Sequence, residues 1–260
     1  MATFRIAAGL ALFFLSLFGA AGELLAKGVK GPERWVVYYD HALKAESFMP
    51  YDVIIFDRQA HPPLRPLINR GKTLLAYLSV GEADNARDDF DQLQAMGLLL
   101  EENPQWPGRF IVDIRDPAWG KYLIEELVPA LLHKHFDGVM LDTIDSALHL
   151  EAREPEKYAG MAEAAIALIR AIRLHYPEIK IMLNRGFELL HAVAPSIDLV
   201  LAESILVNHQ PGEDSYVFFP EDVYAHYVER LRQAQQIAPA LKIYSLDYWK
   251  QDDLAKIKEI

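Results

Sequence analysis

From Trp35 onward, short and near-continuously apolar runs alternate with longer segments whose apolar residues recur every three or four positions. The runs are Trp35–Asp40, Val53–Asp57, Leu74–Glu82, Phe110–Arg115, Gly138–Asp142, Ile179–Asn184, Leu199–Glu203 and Ile243–Asp247. Rich in Val, Ile, Leu and Tyr and lacking strict alternation, they predict parallel strands covered on both faces. Between them, Pro117–His135, Glu156–Tyr176 and Glu221–Ala238 predict helices. In the second of these Met161, Ala165, Leu168, Ile169, Ile172 and Tyr176 form one apolar stripe, which ends before Pro177. The gaps at Pro62–Gly71 and after Asn184 leave room only for short helices. Eight βα units in about 225 residues predict an α/β fold, a single (β/α)8 TIM barrel over 35–260. Its last helix would be shortened to Lys250–Ile260.

Met1–Gly22 breaks the pattern. Arg5 is its only charge, Ile6–Phe18 is apolar except for small residues, and Gly19-Ala20-Ala21-Gly22 offers a small-residue cleavage site. This predicts a signal peptide over 1–22 and a periplasmic or secreted protein, with residues 23–34 as a lead-in. An uncleaved N-terminal anchor is the alternative. Cleavage implies no stable membrane insertion of the mature chain.

Composition narrows the chemistry. The 260 residues are 52% hydrophobic, with 26 basic and 37 acidic side chains, a net charge of −11. An acidic chain without a basic run does not suit nucleic acid or an anionic membrane. The absence of Cys excludes disulfides, thiolate zinc and thiol nucleophiles. No Gly-rich phosphate loop and no nucleophile-elbow Ser appear, and the scattered His residues fit no ligand spacing. Neither a cofactor nor a metal is therefore expected.

Nearly every predicted strand ends in a polar residue. Asp40, Asp57, Glu82, Asp113, Arg115, Asp142, Asp145, Asn184, Arg185, Glu203 and Asp247 would ring the end where such barrels carry their sites. Crowded carboxylates repel, and some should hold protons unusually tightly. Two acids facing a glycosidic bond can hydrolyse it. Tyr38, Tyr39, Tyr77, Trp119, Tyr248 and Trp249 could supply aromatic platforms for sugars, beneath an overhanging connection from Leu206 to Phe219 that carries His209, Tyr216 and Phe218.

Three ordered motifs carry a resemblance: Tyr77-Leu78-Ser79-Val80-Gly81-Glu82-Ala83, Val112-Asp113-Ile114-Arg115-Asp116-Pro117-Ala118-Trp119, and Phe136 through Asp145. The chain resembles the endo-α-1,4-polygalactosaminidases of glycoside hydrolase family 114 and the related hydrolase domain of the Pel polysaccharide system. The resemblance runs from about Trp35 to Trp249. It implies a (β/α)8 barrel acting on partly deacetylated α-1,4-linked galactosamine polymers, a cationic polysaccharide substrate. It also singles out a catalytic pair, Asp142 and Glu203. Thr143 stands where some relatives carry Asn. Asp40, Asp57, Tyr77, Glu82, Asp113, Arg115, Asp145, Asn184, Asp247 and Tyr248 would then bind and orient sugars. A non-catalytic polysaccharide-binding barrel and a hydrolase of another extracellular glycan are the alternatives.

Overall fold

The β-branched run Val53-Ile54-Ile55-Phe56 is buried along its whole length, as a strand covered on both faces requires. In the computed structural model, which describes residues 33–210 and 215–260, this strand belongs to the first of two compact units, 33–74 and 75–260. The expected signal segment, Met1–Gly22, lies outside the described residues.

In the first unit, β1 (Trp35–Tyr38) and β2 (Val53–Phe56) pair in parallel, Trp35 opposite Val53 and Tyr38 opposite Phe56. Phe48 packs at 5.0 Å from the Tyr38 ring and 4.9 Å from Phe56. The Tyr38 hydroxyl reaches the Leu43 amide, 2.8 Å away. The apolar stretch after β2 folds only into the short helix Arg65–Ile68.

The second unit is organised by parallel strands in the order β3 (Thr73–Ser79), β7 (Gly138–Asp142), β8 (Lys180–Asn184), β9 (Leu199–Glu203) and β12 (Lys242–Leu246). Their interiors form the core: Leu75, Ala76, Val139, Leu141, Ile181, Leu183, Val200 and Ala202 are fully or almost fully buried. The helix Met161–His175 buries Met161, Ala165, Leu168, Ile169 and Ile172, the stripe read from the sequence. The helix Glu221–Ile237 buries Leu231 and Ala234. No helix among the described residues is long and apolar enough to cross a membrane.

This is an α/β fold built on parallel strands, seven of them among the described residues, with one correction. The run expected as the fourth parallel strand, Phe110–Arg115, contributes instead to an antiparallel sheet. There β4 (Glu82–Asp84), β6 (Arg109–Val112) and β5 (Leu99–Glu102) lie in the order β4-β6-β5. The chain turns back between β5 and β6 at Trp106-Pro107-Gly108, where Gly108 has φ +88°, the conformation glycine tolerates best. A hairpin, not a crossover, therefore precedes the run. Leu74–Glu82 is likewise divided at Val80-Gly81, β3 ending at Ser79 and β4 starting at Glu82.

Three further differences are local. The helix expected over Pro117–His135 runs Pro117–His133, with a wide π turn at Leu123–Leu127. Pro129 follows that turn, and its missing N–H removes the α-type bond that would have kept the turn tight. A helix at Ile144–Arg153 was not expected; it buries Ile144, Ala147 and Leu150 at threefold spacing. The Leu206–Phe219 connection contains the antiparallel pair β10 (Val207–Gln210) and β11 (Ser215–Phe218), with Val207 opposite Phe218 and His209 opposite Tyr216.

Candidate active site

Three adjacent strands deliver three polar residues at the same end: Asp142 closes β7, Asn184 closes β8 and Glu203 closes β9. The chain turns sharply after each. Thr143 (φ 67°), Arg185 (φ 54°) and Ser204 (φ 52°) all adopt the left-handed conformation, although none is glycine. Such backbone costs an L-residue roughly 1–2 kcal/mol and persists where surrounding bonds over-determine it. Those bonds are present. The amide of Arg185 donates to Leu201 O at 2.9 Å, that of Ser204 to Leu246 O at 2.8 Å, and Asp142 O accepts from Val80 N at 2.9 Å.

The Asn184 amide joins the two acids. Its Nδ2 donates to Asp142 Oδ1 at 2.8 Å and to Glu203 Oε2 at 2.6 Å. The other Glu203 oxygen accepts from the Tyr248 hydroxyl at 2.5 Å. Tyr77 hydrogen-bonds Asp142 from β3. Each acid is thus held by neutral donors. Burial raises the Glu203 pKa, and the nearby Asp142 charge adds to the rise, against the lowering effect of the Tyr248 and Asn184 bonds. Burial also pushes both tyrosine hydroxyls well above their usual value, helped by Asp142 at Tyr77 and by Glu203 at Tyr248. Both tyrosines therefore remain donors.

Around this centre the other acids have structural partners. Asp145 pairs with Arg185 at 2.7 Å and accepts from the Gly186 amide at 3.2 Å. The same guanidinium donates to Glu203 O at 2.7 Å, so it braces the turn behind the acid. Asp247 Oδ1 accepts from the amides of Leu206 and Val207 at 3.0 and 2.8 Å and so fastens the root of the β10–β11 hairpin. Buried Glu82 takes hydrogen bonds on Oε1 from Ser146 at 2.5 Å and Asn103 at 2.7 Å. Asp113 is engaged by Arg115, whose Nη2 lies 2.7 Å from Oδ2. That bond holds the Asp113 carboxyl below its usual range, and Arg115 also binds the carbonyls of Lys157 and Ala159.

In the first unit, Asp57 is buried and caps its own loop through the amides of Gln59 and Ala60, at 2.7 and 2.8 Å. Asp40 is exposed and accepts from the His41 amide. Of the candidates read from the sequence, the second unit thus brings Tyr77, Asp142, Asn184, Glu203 and Tyr248 into one hydrogen-bonded group.

Sequence reasoning missed the partners of Glu82. Ser146 and Asn103 lie 64 and 21 residues from it, and no local pattern marks either. No group of three His, Asp or Glu side chains that could hold a metal ion occurs among the described residues.

The family model for glycoside-hydrolase family GH114 matches residues 25–259. Among solved structures, the glycoside hydrolase domain of PelA from Pseudomonas aeruginosa is similar with a TM-score of 0.72 and 26% identity, covering 84% of this chain and 85% of that one. Ega3 of Aspergillus fumigatus, solved with galactosamine, shares the fold at a TM-score of 0.64 and 16% identity, over 83% of this chain and 77% of its own. An uncharacterized protein of Deinococcus radiodurans is 32% identical over 162 residues, 59% of this chain. The chain spans about half of that relative's length, 52%. It belongs to glycoside-hydrolase family GH114.

Proposed function

We propose that this GH114 member is an exported glycoside hydrolase that cleaves α-1,4-linked galactosamine or N-acetylgalactosamine polysaccharide, with Asp142 and Glu203 as its catalytic pair. The observation that carries this reading is the single Asn184 nitrogen shared by both acids. With legs of 2.8 and 2.6 Å, the two carboxylate oxygens it holds are no more than about 5.4 Å apart. Retaining glycosidases keep their two carboxyl groups ~5–5.5 Å apart, whereas inverting ones need ~6.5–9.5 Å to admit a water.

The environments divide the roles. Burial raises the Glu203 pKa, which suits a general acid. Asp142, aimed by Asn184 and Tyr77, suits the nucleophile. In the first step an Asp142 oxygen bonds to the anomeric carbon and the bond to the leaving sugar oxygen breaks. Glu203 gives its proton to that oxygen. In the second step Glu203 removes a proton from water, the water oxygen bonds to the anomeric carbon, and the ester to Asp142 breaks. The inputs are water and polymer.

The net charge of −11 and the acidic floor favour a cationic amino sugar. The likeness to the glycoside hydrolase domain of PelA supports a glycan substrate, and the fold shared with Ega3 supports a barrel-type architecture. Tyr248, 40% exposed, offers its ring to a sugar while its hydroxyl engages Glu203.

The test incubates the protein and a Glu203→Gln variant with deacetylated and acetylated α-1,4-galactosamine polymers and reads the products by mass spectrometry. Oligomers from the parent alone are expected. Binding without products would shift the reading to a non-catalytic polysaccharide-binding protein; neither binding nor products would point to another glycan.

A further inference from the structure

The turn between β3 and β4 makes an unusual number of bonds to the segment that carries Asp142. Val80 N donates to Asp142 O at 2.9 Å. Gly81 N donates to Thr143 Oγ1 at 3.0 Å. Ser79 Oγ lies 2.8 Å from Thr143 Oγ1 and 2.6 Å from Glu82 O. Glu82 Oε1 accepts from Ser146, one helical turn further on. The turn is itself immobilised from outside, since Val80 O accepts from the Trp119 indole N–H at 2.9 Å and Gly81 O accepts from Val112 N at 2.9 Å.

Counting protons gives the bonds a direction. The two hydroxyls have one proton each. Asp142 O is already served by Val80 N. One arrangement satisfies every group: Gly81 N–H to Thr143 Oγ1, Thr143 O–H to Ser79 Oγ, and Ser79 O–H to Glu82 O. Thr143 Oγ1 also lies 2.6 Å from Asp142 O, so its proton has a second acceptor in reach. The backbones are equally close. A Cβ on Gly81 would lie 2.1 Å from Thr143 O, so only glycine lets the two segments meet here.

We infer that Thr143, clasped by Ser79 and Gly81, is a positioning residue that fixes the Asp142 carboxylate for attack. Glu82 pins the same segment through Ser146 and serves this clasp. The inference rests on the glycosidase reading above. Thr143 follows the nucleophile directly and is β-branched, in a backbone region such residues avoid. Its hydroxyl bonds hold it there, and releasing them lets the turn after Asp142 relax. A nucleophile displaced by about 1 Å loses on the order of 10²-fold in rate, while sugar contacts made elsewhere persist.

The experiment compares Thr143→Val, Thr143→Ser and Ser79→Ala on a partly deacetylated α-1,4-galactosamine polymer. Val matches Thr in shape and branching, so it removes only the hydroxyl. Thr143→Val is expected to lower kcat about 10²-fold with KM within about threefold of the parent. Thr143→Ser, which keeps the hydroxyl, should stay within about threefold in both. Ser79→Ala should lower kcat roughly tenfold, and it carries the test if Thr143→Val does not fold. The inference is overturned if kcat survives loss of the hydroxyl, if Thr143→Ser fails as badly as Thr143→Val, or if the loss is in KM. Failure of the parent to cut the polymer would instead overturn the glycosidase reading, and this inference with it.

Discussion

The two ends of β9 each carry a buried or half-buried acid, and the fold treats them in opposite ways. Asp198, just before the strand, meets cations: Arg173 at 2.5 Å and Lys180 at 3.2 Å, together with the Ile181 amide at 2.9 Å. Burial pushes its pKa up, but these partners outweigh it and the carboxyl lies below its usual range. Glu203, at the strand's far end, meets only neutral donors on its carboxylate, and burial wins. The Asp198 end knits elements together, because Arg173 also binds the carbonyls of Ser196, Pro177 and Ile179. The Glu203 end gives up that stabilisation and has a carboxyl whose pKa is raised by burial. The contrast separates an end of the strand held by ion pairs from the end that carries the proposed acid, where barrel folds place their sites.

The comparison breaks most visibly in turnover. Asp142→Asn or Glu203→Gln should each lower kcat by about 10³-fold or more, with far-UV circular dichroism unchanged. Asp198→Asn should leave kcat within about threefold. A catalytic loss at Asp198 as large as at Glu203 would remove the distinction.

Stability should respond the other way. Asp198→Asn is expected to lower the unfolding free energy by about 2 kcal/mol in urea titrations near neutral pH. The sign with pH follows from the depressed carboxyl. Its contribution is present above the unfolded-state value and is lost as pH falls through the folded one. The difference between variant and parent should therefore close in acid.

Tyr248→Phe sharpens the chemical end. The tyrosine's hydrogen bond lowers the Glu203 pKa, so removing it should raise that pKa further. The basic limb of kcat/KM should move to higher pH, with kcat down roughly tenfold. A limb that stays in place would separate it from Glu203.

The smallest effect is a gain. Because the Glu203 pKa is raised in the folded protein, the native state binds more protons than the unfolded one between the ordinary Glu value and the raised one. Stability falls as pH rises through that window. Glu203→Gln should therefore stabilise the fold by about 1 kcal/mol at pH 7. The gain should shrink as pH is lowered below the ordinary glutamate range, measured as the difference in Tm.

Much of this was legible in the sequence because it depends on period and position. The β7 and β9 runs announce themselves by continuous apolarity, and their polar last residues, Asp142 and Glu203, mark the site's end of the sheet. The misplaced element, Phe110–Arg115, is also apolar and β-branched; apolarity alone does not tell a parallel strand from the last strand of an antiparallel hairpin. The cue lay in Pro107-Gly108 just before it, a turn rather than a helix. Of the strand-end acids, the resemblance singled out Asp142 and Glu203. That Asn184 would join them, or that Asp247 would hold a hairpin, depends on contacts across 19 to 42 residues that no local pattern encodes.

Asp247 has a consequence for the order of assembly. Its carboxylate ties down Leu206 and Val207 across 41 and 40 residues, and its neighbour Tyr248 reaches Glu203 across 45. Contacts of such separation close late, because chain entropy must be overcome before they form. During synthesis the β7, β8 and β9 strand ends emerge well before Asp247 does. A nascent chain therefore carries its acids without the tyrosine that aims one of them or the bonds that root the hairpin above them. On the proposed reading, a copy cut before Asp247 would lack both restraints and would be inert.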